Sequence, residues 1–271
     1  MLSCTIGLPI RATVIEETQL EKAIISVKYN RIIITDTINP SNGLKKDMLT
    51  LKAGKDQSAF YSADLKTQDS ISVRNFDLVI QLLSDGESFK QYANKETEVV
   101  FKNYPPDVIT VFQRFNSTNW IYTEKYETPE WEITSKDSVI MDYPCILAIC
   151  KFRGRVWSAW FTPEIPISQG PWKLGGLPGL ILKATDSRGH YSYEAVEIFI
   201  PQNEYVEYFN YDDRVKTNRI ASLIERRRHL NDKTKNKIIM SDLYGISNNI
   251  VPNSELKKLN YDFEEIDYPH E

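Results

Sequence analysis

The sequence FRGRVWSAWFTPEIPISQGPWKLGGLPGLILKATD, residues 152–186, is the stretch that decides the fold. Apolar residues alternate with others over residues 155–161, which predicts a strand. One face of that strand carries the side chains of Trp157, Ala159 and Phe161. The prolines between residues 162 and 171 fix backbone angles and remove amide donors, so that segment is predicted to be an irregular connection. Residues 180–186 then predict a second strand.

A proline–glycine pair within this stretch predicts a tight turn. In Leu177-Pro178-Gly179-Leu180, proline presets φ at the second position and glycine supplies a positive φ at the third, as a type II turn requires. A loop of this length without regular structure is uncommon unless it is specially packed or functional. We therefore predict a rigid loop packed over the mouth or edge of a sheet.

Working outward, most of the chain reads as strands and tight turns. Hairpins are predicted over residues 145–161, with a turn at Arg153-Gly154, and over residues 180–200. Upstream strands are predicted by the following segments: residues 22–38, as one strand or two with a break near Asn30, 48–62 with a turn at Gly54-Lys55, and 98–115 divided by Pro105-Pro106. Helical spacing predicts helices over residues 74–85 and 212–231, the second capped by Asp212 or Asp213. The acidic remainder is expected to be peripheral.

The fold class is therefore mainly β, a β-rich α+β protein. We expect a curved antiparallel sheet with one or two helices, similar to the half-barrel of periplasmic lipoprotein carriers, although this comparison is fold-level analogy. Residues 1–12 are interpreted as the remnant of a signal peptide, with Cys4 faintly resembling a lipidation site. Residues 20–205 are assigned to a β-rich domain and residues 206–271 to a helical, polar C-terminal extension.

Composition excludes some classes of function. Apolar residues make up 41% of the 271, enough for a sizeable core, and the formal net charge is −4. A nucleic-acid-binding protein needs a basic surface, so nucleic acid is not an expected partner. No stretch reaches the ~18 apolar residues of a membrane-spanning helix.

The sequence offers no motif for a catalytic, metal or cofactor site, and none is predicted. There is no G-x-S-x-G, H-E-x-x-H or C-x-x-C, and the three histidines lie far apart. Cys145 and Cys150 are interpreted as small buried side chains, because a regular strand would separate them too far for a disulfide; a bridge across a bulge is the alternative. A competing hypothesis makes Cys145 a peptidase nucleophile with His190 as its base.

Aromatic and charged residues around the loop form a candidate binding surface. Its members are Trp157, Trp160, Trp172, Glu164 and Arg155. The tryptophans could line an apolar or carbohydrate groove, or could close one end of the core. Glu164 could form a buried pair with Arg155, or could accept backbone amides within its own proline-flanked turn.

The same stretch spells a family signature. Gly176, Leu177, Pro178, Gly179, Leu180 and Ile181 read GLPGLI, and Gly154-Arg155, Phe161 to Pro166 and Gly170-Pro171-Trp172 match as well. The chain thus resembles the GLPGLI family, uncharacterised proteins of the bacterial cell envelope. The resemblance implies export to the periplasm or cell envelope and no agreed catalytic residues.

Together, the resemblance and the missing motifs favour a non-enzymatic binding or accessory module. Its expected partner is an outer-membrane transporter or a hydrophobic or lipid-linked ligand. A cysteine peptidase-like hydrolase and a structural subunit of a surface assembly are the alternatives.

Overall fold

A computed structural model describes residues 15–62, 97–115, 118–211, 214–231 and 263–269. The predicted helix at 74–85 and the signal remnant at 1–12 lie outside these residues. The strands are β1 (Ile15–Lys22), β2 (Ile25–Ile34), β3 (Leu44–Ala53), β4 (Ser58–Ser62), β5 (Val99–Lys102), β6 (Val108–Phe115), β7 (Thr118–Lys125), β8 (Glu132–Ile140), β9 (Tyr143–Phe152), β10 (Arg155–Thr162), β11 (Leu180–Asp186), β12 (Tyr191–Phe199), β13 (Tyr205–Tyr211) and β14 (Arg214–Lys216). One α-helix, α1 (Arg219–Asn231), follows them in the described part.

The strands form a large sheet from two meanders joined side by side. Its order is β14-β7-β6-β5-β4-β3-β2-β12-β11-β10-β9-β8, and β1 pairs separately with β13. All ladders are antiparallel except β14 with β7. The first meander meets the second through β2 and β12, with Tyr29 opposite Ala195. The predicted mainly β, antiparallel class is confirmed.

The large sheet is strongly curved, as predicted. Arg153, in the turn between β9 and β10, has its Nη2 atom 2.6 Å from Oε2 of Glu124 on β7. β7 and β9 are each the second strand from an end of the sheet. Side chains from these two strands can meet only if the sheet curls until its ends face each other. The further likeness to lipoprotein carriers stays a prediction.

Two apolar clusters cover opposite faces of the first meander. The main cluster includes Tyr29, Phe60 and Trp157 together with Trp172, Leu174 and Leu177 of the 163–179 connection. The smaller cluster places Val206 and Phe209 of the β1–β13 ribbon on Phe101 and its neighbours. Strand β4 is buried along its whole length because both faces are covered. This explains why SAFYS lacks the alternation of a half-exposed strand.

The C-terminal helix begins later than the sequence predicts. The expected cap at Asp212 or Asp213 lies outside the described residues, and residues 214–216 form β14 instead. The helix begins at Arg219, and the Asn218 side chain accepts a hydrogen bond from the Ala221 amide at 2.9 Å. The helical spacing of apolar residues extends to Val215, before Arg219, and so it predicts a helix that is too long. Within the described residues no helix has the length and apolarity needed to cross a bilayer.

Candidate functional site

Side-chain donors from Lys102 and Trp131 hold the signature loop, residues 163–179, in place. Lys102 Nζ donates to the carbonyl oxygens of Gly170 at 2.9 Å and Leu174 at 2.6 Å. Trp131 Nε1 donates to the Gly175 carbonyl at 2.8 Å. These carbonyls have no regular strand partners. The two side chains therefore provide hydrogen bonds to buried carbonyl oxygens, which are costly to leave without a donor. The loop is thereby fixed against the main cluster.

The predicted type II turn is wrong in detail. The Gly179 amide donates to the Leu177 carbonyl at 2.8 Å, a three-residue turn centred on Pro178, and the Leu180 amide donates to Ile165. A β-carbon on Gly179 would lie 2.1 Å from the Thr162 carbonyl oxygen. Glycine is therefore required here by the close approach of two backbone segments.

Replacing Gly179 with alanine is expected to lower the free energy of unfolding by about 1–3 kcal/mol, because the new methyl group overlaps the Thr162 backbone. Urea unfolding monitored by tryptophan fluorescence measures the loss. Gly189→Ala is the control, since Gly189 has φ +68° but no atom within 4 Å of an added β-carbon. It should cost about 1 kcal/mol through backbone strain alone. Equal losses would contradict a steric role for Gly179.

Lys102 gives the fold a dependence on pH. Burial lowers its pKa to about 7, whereas the unfolded chain keeps a value near ~10.4. Between these two pH values the unfolded chain holds a proton on Lys102 that the folded chain has released. The contribution of Lys102 to stability is lowest below pH 7 and should rise from pH 7 to pH 9 by up to about 1.4 kcal/mol per unit.

Urea unfolding at several pH values tests this slope, with Lys102→Met as the comparison. The variant loses the hydrogen bonds to Gly170 and Leu174, so it should be less stable at every pH. It should also lose the rise between pH 7 and pH 9. An unchanged slope would assign the effect to another group.

The candidate surface residues do not share one surface. Trp157 and Trp172 are 0% and 1% exposed, and their ring centroids are 5.7 Å apart in the main cluster. Trp160 lies on the other face of β10 and is half-buried, whereas Glu164 is exposed. Two of the three tryptophans thus pack in the core, as the second interpretation of this cluster expects.

Of the two interpretations of Glu164, a buried pair with Arg155 is not the one that the structure shows. Arg155 is buried at the start of β10, and its Nη1 atom donates to Oδ2 of Asp186 at 2.8 Å. Glu164 follows the far end of the same strand, so the length of β10 separates the two side chains. The buried partner of Arg155 is supplied by the neighbouring strand β11.

The positions of Cys145 and His190 do not support a peptidase dyad. Cys145 and Cys150 are buried free thiols, as predicted. Burial raises the pKa of the Cys145 thiol, and it raises the pKa of Cys150 to about 12. Cys145 lies level with the Leu180 end of β11, while His190 lies beyond the Asp186 end. The strand registers place them roughly 20 Å apart along the strands. In the described part of the chain, no cluster of histidine, cysteine and acidic residues could hold a metal ion.

A larger constellation of charges lies where the curled ends of the sheet face each other. Five cationic side chains, which we call the cationic groove, come from β2, the β9–β10 turn, β10, the signature loop and α1: Arg31, Arg153, Arg155, Lys173 and Arg219. They surround residues 263–269, FEEIDYP, which we call the acidic segment. The segment was expected to be peripheral, yet Phe263, Glu264 and Glu265 are all buried.

Lys173 and Arg219 bind the second glutamate. Lys173 Nζ donates to Glu265 Oε1 and lies 2.6 Å from Oε1 of Glu124, while Arg219 Nη1 donates to Glu265 Oε2 at 2.6 Å. Burial opposes charge on Lys173, but attraction to Glu265, Tyr122 and Glu124 outweighs it and raises the Lys173 pKa. The two cations likewise hold the pKa of Glu265 below its usual range despite burial. The site is therefore a charged network.

A separate cation binds the first glutamate. Arg31 Nη1 donates to Glu264 Oε1 at 3.3 Å, and Tyr193 Oη donates to the same oxygen. Arg31 also donates from Nη2 to Asp47 Oδ2 at 2.6 Å. Glu264 is thus held from strands β2 and β12, whereas Glu265 is held from the signature loop and α1.

The β9–β10 turn binds the backbone of the acidic segment. Arg155 donates from Nε at 3.0 Å and from Nη2 at 2.6 Å to the Phe263 carbonyl. The Ile266 amide donates to the Arg153 carbonyl at 3.0 Å. Gly154, with φ +82°, leaves the necessary room, since an added β-carbon would lie 2.6 Å from Ile266 Cγ1.

Helix α1 binds the aromatic residues of the segment. Phe263, Tyr268 and Leu223 form a small apolar cluster. The guanidinium carbons of Arg226 and Arg227 lie 4.8 and 4.9 Å from the Phe263 ring centroid, within range for cation–π attraction. The basic run on this helix is therefore partly used in packing, and is more than a solvated face.

Sequence patterns contained part of this site. Arg155 occupies the same strand face as Trp157, and Arg31 the same face as Tyr29 and Ile33, so both are charges at core positions. A charged residue at a core-facing position of a strand is a signal that could have identified Arg155 and Arg31 as site residues. That Glu124 and Glu265 share the cations Lys173 and Arg219 had no such signal, because these residues are far apart in the chain.

Comparison with known protein families finds one match, over a short part of the chain. A family model described as "Protein of unknown function (Porph_ging)" matches residues 152–183. The match includes Arg153, Arg155 and Lys173, three of the five members of the cationic groove. Assignment to the GLPGLI family by that name stays a prediction.

No curated protein matches the chain. Two solved structures, both described as PNGF-II, in the P21 and C2 space groups, are similar with TM-scores of 0.48 and 0.47 at 14% identity. Each match covers 74% of this chain and 32% of the other. The chain thus spans about a third of the length of these structures.

Proposed function

We propose that the protein is a non-enzymatic binding module that holds an acidic peptide segment in its cationic groove. The observation that carries the proposal is the buried acidic segment, residues 263–269, which contacts the groove mainly through side-chain ion pairs. An accessory role in the cell envelope, next to a partner such as an outer-membrane transporter, is part of the same proposal and comes from the family resemblance alone.

The chemistry of the groove favours recognition over simple core packing. Buried ion pairs add little net stability compared with apolar residues of the same size, but they disfavour wrong registers and wrong partners. The acidic segment joins no strand ladder; its main-chain bonds to the turn are those of Phe263 and Ile266. A segment held in this way can be replaced by another peptide with the same groups.

A nicked form of the full chain tests the proposal. A specific protease site is introduced between residues 240 and 250, and the folded protein is then cut, so that the acidic segment is no longer covalently attached. A fluorescent peptide of residues 261–270 is titrated against it, and anisotropy is measured. We expect saturable binding of one peptide per chain.

The uncut chain is the matched control. Its attached segment competes at a high effective concentration, so the same peptide should bind at least about 10-fold more weakly. If the nicked chain keeps its far-ultraviolet circular dichroism but binds no peptide, the acidic segment is only a fixed part of the fold and the proposal fails.

A further inference from the structure

We infer that the cationic groove selects peptides in which an aromatic residue is followed directly by two glutamates, each read by its own polar site. This inference rests on the proposed function and names its ligand class. The expected partner is a protein that presents such an aromatic–Glu–Glu segment in an extended form. The acidic segment of this chain is then the occupant that the partner replaces.

Two backbone contacts define the register. Arg155 grips the Phe263 carbonyl with two donors, and the Arg153 carbonyl accepts the Ile266 amide. Both contacts use main-chain atoms, so they are independent of the side chains of the ligand. They bracket the two glutamates, and a shift of one residue would take both carboxylates away from their sites.

The two glutamate sites differ in composition. Glu265 enters the network of Lys173 and Arg219, both of which donate to it. Glu264 meets one cation, Arg31, together with the neutral hydroxyl of Tyr193. Loss of charge at Glu265 should therefore weaken binding more than the same loss at Glu264.

Charge balance explains why both sites require an acid. Around Glu265, the cations Lys173, Arg153 and Arg219 face Glu124, Glu265 and Asp267. Around Glu264, the cations Arg31 and Lys45 face Asp47 and Glu264. The acidic segment supplies Glu265 and Asp267 to the first set and Glu264 to the second. An uncharged ligand would leave buried positive charge uncompensated, which is costly.

The aromatic position explains why a free anion would not suffice. Phe263 is 2% exposed and packs on α1 against Leu223 and the guanidinium groups of Arg226 and Arg227. Burial of an aromatic ring on this helix fixes the orientation of the segment in the groove. One peptide can fill the aromatic position and both glutamate sites, whereas a phosphate or an isolated carboxylate can fill only one of the three.

Competition with the labelled peptide on the nicked chain tests the selectivity. Unlabelled peptides of residues 261–270 carry Glu265→Gln, Glu264→Gln or Asp267→Asn, and a fourth peptide has Ile266 moved in front of the two glutamates. We expect Glu265→Gln to weaken binding by about 10–100-fold and Glu264→Gln by about 10-fold. Asp267 is more exposed, so Asp267→Asn should change binding by less than about 5-fold.

The rearranged peptide separates register from charge. Its composition and net charge equal those of the parent, yet binding should fall by at least about 10-fold. If all four peptides bind within about 3-fold of the parent, the groove attracts acidic peptides without reading their order, and the inference fails while the proposed function stands. If even the parent peptide does not bind, the proposed function itself fails.

Discussion

Replacing Lys173 with methionine is expected to lower the free energy of unfolding by about 3–5 kcal/mol and to release the acidic segment. Lys173 is fully buried, and its ammonium group lies between Glu124 and Glu265. Methionine fills similar space but leaves two buried carboxylates facing each other with less positive charge. Urea unfolding measures the stability loss, and cleavage by a glutamate-specific protease at residues 264 and 265 measures release of the segment.

Lys183→Met provides the matched control for that change. Lys183 forms an ion pair with Glu194 at 3.1 Å, but the two side chains are 37% and 50% exposed. Exposed pairs of this kind contribute at most about 1 kcal/mol. If the two methionine variants lose similar stability, or if Lys173→Met leaves the segment protected, the charged network is not what holds residues 263–269.

Trp172→Ala is expected to have an effect of similar size by a different route. The side chain is fully buried against Trp157 and Phe152, and truncation of a buried tryptophan costs about 3–5 kcal/mol. Because Lys173 follows directly in the chain, loss of this anchor should also loosen the acidic segment. The same unfolding and proteolysis measurements apply.

Trp160→Ala is the control that separates the effect of burial from the effect of losing any tryptophan. Trp160 lies on β10 as Trp157 does, but it faces the other side of the strand and is half-buried. Its truncation should cost clearly less than that of Trp172 and should leave the acidic segment protected. Equal losses, or release of the segment by Trp160→Ala, would argue that these tryptophans form one continuous surface, as the sequence alone permitted.

The predictable part of the fold was the local part. Alternation along β10 placed Trp157, Ala159 and Phe161 on the buried face, and turn residues located the hairpins at Arg153-Gly154 and Gly54. These features depend on side-chain period and on backbone preferences of glycine and proline, which the sequence states directly.

The candidate site depends instead on long-range geometry. Lys173 and Arg155 were visible as polar residues beside the signature, but their partners Glu265 and Asp186 were not predicted. Glu265 lies 92 residues from Lys173, and neither residue belongs to a strand whose pairing could be predicted. Amino-acid pattern also made residues 263–269 look peripheral, because acidic residues are usually exposed unless they have partners.

The junction of the two meanders has a consequence for synthesis of the chain. Strand β2 finds its second neighbour only when β12 has been made, and the bond from Tyr29 to the Ile181 carbonyl spans 152 residues. At about 5–20 residues per second, a ribosome needs roughly 8–30 s to cover that distance. During this time the first meander presents an incomplete edge, which is a hazard for aggregation. The nascent first half therefore has a period of vulnerability, and a chaperone that shields strand edges would act in that interval.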